Sequence, residues 1–185
     1  LSGATLSEGS KVVALSDCSP DVAALSPALL SRSRVVMVKL SPMLDIGQAL
    51  LSLHAVREVH TVSVDGECRE LLLVLAAGEC RPAYHCVTLG RHPQSFVTSE
   101  RHAQPRIAGA PGQFLYEPNA SILKAGVQDA LCESMDVSKL HPFSHLFTSD
   151  ILRQNFPGRS FRVDGISTYG KRELKSFLRL SLIHI

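Results

Sequence analysis

Val56-Arg-Glu-Val-His-Thr-Val-Ser-Val64, then Asp65-Gly66, then Glu67-Cys-Arg-Glu-Leu-Leu-Leu-Val-Leu75 is the stretch from which the rest of the chain can be read. Asp-Gly between two strand-like runs predicts a tight hairpin, because a type I′ turn needs positive φ at both central residues. Upstream, Arg34 to Leu40 (RVVMVKL) is a near-continuous β-branched run, the pattern of a strand buried on both faces of a parallel sheet. Ser41-Pro42 follows as cap and first-turn proline, and a helix is expected from Pro42 to about Leu53, with Leu44, Ala49, Leu51 and Leu53 on its buried face. Strand, helix, strand, hairpin, strand is a parallel crossover unit with a reversed strand beside it, hence an α/β mixed sheet.

Further upstream, residues 1 to 10 read as loop and Lys11 to Leu15 as a short apolar run. Ser19-Pro20-Asp21 predicts a helix start, with the helix bent or restarted at Ser26-Pro27 and ending near Leu30. Downstream, glycines and prolines punctuate residues 78 to 112, which places a domain boundary near Ala77 to Arg81. Tyr84 to Leu89 and Gly112 to Tyr116 are expected strands. Asn119 is the expected cap of a helix from Ala120 to about Cys132, with Ile122, Leu123, Val127 and Leu131 at helical spacing. Ser138 to Phe147 reads as loop or short strand. Thr148-Ser149-Asp150 is expected to open a helix that Phe156-Pro157-Gly158 closes. Arg159 to Ile166 reads as a strand and Tyr169 to Arg179 as a basic helix.

Of the 185 residues, 45% are hydrophobic and 19% charged, which suits one or two packed domains and excludes a disordered or collagen-like chain. The longest apolar run, Leu71 to Ala77, is far short of the roughly 20 residues of a membrane-spanning helix. The five cysteines (Cys18, Cys68, Cys80, Cys86 and Cys132) are scattered and never spaced Cys-x-x-Cys, so neither a disulfide framework nor a zinc ribbon is expected, and a reducing cytoplasm fits. Residues 1 to 136 hold 11 Lys+Arg against 14 Asp+Glu, and residues 137 to 185 hold 8 against 3. A basic tail on a slightly acidic body points weakly to a polyanionic partner, against the blander reading of a solvated face. The chain begins at Leu1 without Met, and residues 180 to 185 (LSLIHI) resemble the translation of a sequencing adapter. They are expected to lie outside the fold, and the chain is expected to be a piece of a longer protein.

VKLSPMLDI (38 to 46), VREVHTVSVDGECRELLLVL (56 to 75), FLYEPNASILKAG (114 to 126), KLHPFSHLFTSD (139 to 150) and FPGRSFRVD (156 to 164) resemble successive blocks of bacterial class I S-adenosylmethionine-dependent methyltransferases with a THUMP-like C-terminal domain. The resemblance implies the C-terminal half of a Rossmann-like methyltransferase sheet, parallel strands closed by an antiparallel hairpin, over residues 1 to 77. It implies a small α+β ferredoxin-like module over 78 to 120 and a truncated THUMP-like region over 121 to 179. It further implies S-adenosyl-L-methionine as cofactor of the intact protein and, because THUMP domains accompany RNA-modifying enzymes, RNA as partner by analogy. The chain departs from the family in having no glycine-rich strand-to-helix turn. The family's Asp-Pro-containing loop is likewise expected upstream of Leu1. The chain alone is therefore expected neither to bind the cofactor nor to transfer methyl groups, and Arg34 to Leu40 is expected to carry an unpaired edge. A non-catalytic module binding nucleic acid or protein, and a methyltransferase of small molecules or proteins, are the alternative readings.

Lys39, Ser41 and Pro42 stand where open α/β sheets place ligands, at the carboxyl end of a parallel strand, and are candidates for the rim of a substrate pocket. Their bland reading is a solvated strand end and a helix cap. Glu117-Pro118-Asn119 loosely resembles the Asn/Asp-Pro-Pro-aromatic loop of other methyltransferases, but it comes after the sheet has closed, so helix capping is the better account. His141 and His145 have the four-residue spacing of helical zinc ligands, yet Pro142 intervenes and no glutamate accompanies them. Cys80, His85 and Cys86 are close in sequence but lack a partnering pair, so no metal centre is expected. Arg159, Arg162, Lys171, Arg172 and Lys175, with Phe161 and Tyr169 interleaved, form the candidate RNA-contacting surface.

Overall fold

The computed structural model describes residues 15, 20–78, 81–168 and 170–181, with residues 179–181 by backbone alone. Cys18, Ser19, Cys80, Tyr169 and most of the apolar run at residues 11–15 lie outside the described residues, as do residues 182–185. The first five strands, β1 (Val35–Leu40), β2 (Val56–Val64), β3 (Glu67–Ala76), β4 (Ala83–Leu89) and β5 (Gln94–Thr98), form one sheet in the order β1-β3-β2-β4-β5. Asp65 (φ 51°) and Gly66 (φ 80°) both take positive φ, and Val64 pairs with Glu67 across the turn, so the hairpin forms as its sequence demands. β1 and β2 run the same way, joined by the crossover helix α2 (Ile46–Ser52), but they do not touch: the reversed strand β3 lies between them, antiparallel to both.

Two expectations change at β1. The strand is covered on one face only, with Val38 and Leu40 buried but Val35 53% and Met37 61% exposed. Among the described residues it stands at the sheet edge, paired with β3. Its helix does not start at Pro42: Ser41-Pro42 begins a turn, closed by Leu44 N–H donating to the Ser41 carbonyl at 3.1 Å, and Asp45 caps α2 by accepting from Gln48 N–H at 2.8 Å. A carboxylate one residue before the helix outcompetes a hydroxyl four residues further back. In the same way Asp21 caps α1 (Val22–Leu30), accepting from Ala24 N–H. Pro27 sits inside α1 and cannot donate to the Ala23 carbonyl, and the Ser26 hydroxyl donates there instead at 3.0 Å.

The sheet continues past Ala77 to Arg81, where a boundary is expected. β4 pairs in parallel with β2 from Glu58↔Ala83 to Val64↔Leu89, and β5 pairs antiparallel with β4. Then β6 (Phe114–Pro118), β7 (Ser138–Lys139), β8 (Phe147–Ser149) and β9 (Gly158–Arg162) make a second, wholly antiparallel sheet ordered β7-β8-β6-β9. Helix α3 (Ala120–Ala125) packs on β2, β3 and β4. It ends at Gly126 (φ 69°), whose left-handed cap stops it well short of Cys132. A 3-10 turn (Gln128–Ala130) and α4 (Leu131–Ser134) follow. Asn119 occupies the cap position of α3 without a capping bond; its amide instead donates to Gln94 Oε1 at 2.7 Å, tying α3 to β5.

The expected helix at 148–156 does not form. Thr148 and Ser149 belong to β8, and the buried Tyr116 of β6 organises residues 149–153: its hydroxyl lies 2.9 Å from Ser149 Oγ and accepts from Arg153 N–H at 2.9 Å. Finally α5 (Lys171–Ser181) is helical as expected, and its backbone carries Leu180 and Ser181, the start of the adapter-like hexapeptide. The core joins both sheets, with Leu71, Leu73, Leu75 and Val59 from the first and Tyr116, Ile122, Leu131 and Phe147 from the second and its helices. A polar chain crosses this join: Thr61 Oγ1 donates to the Ser121 carbonyl at 2.8 Å, and Ser63 Oγ lies 2.8 Å from Thr88 Oγ1, itself 3.3 Å from Ser121 Oγ.

Candidate functional site

The carboxyl end of β1 is less open than its position suggests. The Lys39 ammonium lies 2.9 Å from Glu70, its neighbour on β3, and is half-exposed. Ser41 Oγ accepts from Met43 N–H at 3.2 Å, so this hydroxyl shapes its own turn, and Pro42 is the corner of that turn. Lys39 at the end of β1 and Ser41-Pro42 in the turn after it therefore stand close in sequence, and Lys39 and Ser41 are occupied by intramolecular partners.

At the opposite end of the parallel strands lies a cleft of about 600 Å³ between the C-terminus of α2, the starts of β2 and β4, and the loop after β5. Leu53 and Val56 give it an apolar floor, Tyr84 a buried aromatic wall, and Arg81, Arg101 and His102 a basic rim. The Arg101 guanidinium sits 6.0 Å from the Tyr84 ring centroid. Burial pushes the Tyr84 hydroxyl above its ordinary value, and Arg101 opposes that rise, so the phenol stays neutral and able to donate. Glu100 also lines the cleft, so a half-polar pocket with cationic and imidazole side chains and one carboxylate suits a ligand that has both an apolar body and polar groups. Neither Tyr84 nor Arg101 stands out in the sequence, because the strand pairing that brings the loop after β5 against the start of β4 has no local signature.

The basic candidates separate into two groups. Arg159 of β9 is ion-paired with Glu117 of β6 and lies 5.7 Å from the Phe161 ring centroid, while Arg162 is 2.8 Å from Asp164. Their charge is largely cancelled by carboxylates. Lys171, Arg172 and Lys175 lie on the exposed face of α5, where no ion pair engages them among the described residues. Glu117, half of the motif that loosely resembles a catalytic loop, thus serves as the partner of Arg159. His141 and His145 lie in the loop between β7 and β8 and not on a helix; His141 Nδ1 accepts from Phe143 N–H at 3.2 Å. His85 and Cys86 point to opposite faces of β4, with Cys86 buried.

S-adenosylmethionine would need a turn after a parallel strand where backbone amides can approach its adenosine and carboxylate groups. The turn after β1 does not fit that need. The turn after β1 runs Ser41-Pro-Met-Leu-Asp45 without glycine, and the space a side chain would fill at Gly47, in the first turn of α2, is already bordered by Asp45 Oδ1 at 3.0 Å and the Arg101 guanidinium at 3.5 Å.

Residues 114–157 match the family model of a ferredoxin-like domain, which spans β6, α3, α4, β7 and β8. The match overlaps the 78–120 segment expected to be ferredoxin-like at residues 114–120 and continues into the 121–179 segment. The chain as a whole is similar to a solved structure of a Porphyromonas gingivalis W83 protein described as a "putative methyltransferase", with 32% sequence identity over 90% of this chain and a TM-score of 0.79. The chain spans 44% of the length of that protein. No curated protein matches. No described helix is long and apolar enough to cross a membrane.

Proposed function

We propose that this chain is the C-terminal part of a cytoplasmic S-adenosylmethionine-dependent methyltransferase that acts on RNA, and that it shapes and presents the substrate side of the enzyme while the cofactor is held by residues outside it. The observation that carries this reading is the sheet order β1-β3-β2, in which a reversed hairpin strand slots between two parallel strands, together with the likeness to the Porphyromonas protein. In the class I methyltransferases that the sequence resembles, a reversed strand closes the sheet; here β4 and β5 continue the sheet beyond the hairpin. RNA contact is assigned to Lys171, Arg172 and Lys175 of α5, which no carboxylate engages among the described residues, with Arg159 and Arg162 in a structural role.

Calorimetry on the longer protein and on residues 1–185 tests the first part. Saturable S-adenosylmethionine binding by the longer protein and none by the chain is the expected pair of results, and tight binding by the chain alone overturns the division. For the second part, replacing Lys171, Arg172 and Lys175 with Ala is expected to weaken RNA binding and to flatten its dependence on salt by up to about 0.7 in log-log slope for each phosphate that is no longer neutralised. Arg159→Ala and Arg162→Ala should leave that slope unchanged. A triple variant whose slope equals that of the unaltered protein removes RNA from the proposal and leaves a small-molecule or protein substrate.

A further inference from the structure

The face of the first sheet opposite α3 is open, and one patch of it gathers metal-binding chemistry. Glu58 and His60 alternate on β2, so both side chains project from that face, and His85 on β4 stands directly beside His60 in the parallel register. The two imidazole rings stack with centroids 4.4 Å apart and planes within 9°. His60 Nε2 donates to Glu58 Oε2 at 2.7 Å, and one ligand atom from each of the three residues lies within 4.8 Å of the others. The surroundings are apolar: Leu72 and Val74 of β3 are the cross-strand neighbours of His60 and Glu58, and Val97 of β5 pairs with His85. Lys39 and Glu70, elsewhere on the sheet, are paired with each other.

We infer that Glu58, His60 and His85 form a binding site for a divalent transition-metal ion of the zinc, nickel or cobalt class. Two neutral imidazoles and one carboxylate are the borderline-soft donor set such ions select, and they exclude calcium or magnesium, which take oxygen ligands. Metal–ligand bonds of about 2.0 to 2.2 Å place tetrahedral donors roughly 3.3 Å apart. The 2.7 Å separation of His60 and Glu58 therefore opens slightly and the wider separations close, by side-chain rotation on two fixed strands. Water completes the coordination, since all three residues are half-exposed. The ion would bridge β2 to β4 across the link at residues 77–82, acting as a clamp on the sheet. The inference is independent of the methyltransferase reading.

Titration of the 185-residue chain with zinc chloride, followed by calorimetry, tests the site. One saturable equivalent is expected, with affinity reduced at least tenfold in His60→Ala and in His85→Ala and by a smaller factor in Glu58→Gln. Titration with cobalt chloride should give visible bands of low-symmetry nitrogen coordination that disappear in both histidine variants, while His141→Ala and His145→Ala change nothing. The melting temperature should rise with zinc in the unaltered chain and not in His85→Ala; His85→Asn, confirmed folded by circular dichroism, repeats the comparison and separates loss of the ligand from loss of the fold. Absence of saturable zinc binding, or binding that survives in both histidine variants, overturns the site.

Discussion

Lys139 is 2% exposed, a rare burial for an ammonium group, and its Nζ lies 2.6 Å from Asp129. Removing the ammonium strands the Asp129 carboxylate with only part of its surface in water. Lys139→Ala should therefore cost about 3 kcal/mol, near the lower end of the range for buried pairs because Asp129 retains some solvent contact. Asp129→Asn with Lys139→Met should recover part of that loss, and urea unfolding measures both. Tyr116 carries a different burden, holding Ser149 and Arg153 through one hydroxyl. Tyr116→Phe should lose about 1–3 kcal/mol, with the effect concentrated in faster amide exchange at residues 149–153. Cys86 adds a pH dependence. Burial pushes its thiol from the ordinary value of 9.0 to about 11, so the folded state keeps its proton where the unfolded chain has lost it. Stability is present in full below about 9 and falls as pH climbs toward about 11. Urea midpoints across that range should decline more steeply in the unaltered chain than in Cys86→Ala.

Among the elements, those with a local cause are legible in the sequence. Asp65-Gly66 fixes its hairpin whatever surrounds it, and Gly66→Ala should cost about 1 kcal/mol because φ of 80° is strained for a residue with a Cβ, a loss readable as a lower melting temperature. Helix α1 is legible in its extent, although Asp21 is its cap and it runs through Pro27 without a restart. The elements that escape a sequence reading depend on partners distant in the chain. Thr148-Ser149-Asp150 has the composition of a helix start, yet Phe114 to Tyr116 pair with 147–149 and draw the segment into a strand. β5 is hidden because Gln94 to Thr98 is short and acquires its structure from β4. The end of α3 is a different failure: Gly126 is in plain view, and the apolar spacing continuing through Val127 and Leu131 conceals its stop signal. The sites divide the same way. Lys39 does stand at the expected strand end, but its occupation by Glu70 follows from register alone. Sequence proximity groups His85 with Cys80 and Cys86, whereas strand alternation turns it away from Cys86 and toward His60. The Glu58-x-His60 alternation is the one local signal of that arrangement.

At the scale of the molecule the first sheet has two unlike sides. One is filled by the helices and the second sheet; the other shows Val35, Met37 and Val97 to solvent, each more than half exposed. Beside them runs the edge of β1, unpaired among the described residues and so a template for pairing with another strand. Met37→Lys should accordingly lower light scattering of the concentrated chain without shifting its urea midpoint. If this face is covered in the longer protein, as the 44% span of the Porphyromonas relative allows, the same substitution should destabilise that protein by about 1–3 kcal/mol. The two measurements together report whether the surface is an exterior or an interior.

The pairing of β2 with β4 bears on how the molecule could be taken apart. The peptide link at residues 77–82 is a convenient place to divide the sequence, but the register from Glu58↔Ala83 to Val64↔Leu89 and the bond from Thr61 to Ser121 stitch its two sides together. A protease that nicks this link should yield two fragments that travel as one species on a sizing column and separate only in denaturant. Expressed separately, each would present the other's missing strand as a raw edge, so the pair should recover native structure when mixed and precipitate when kept apart.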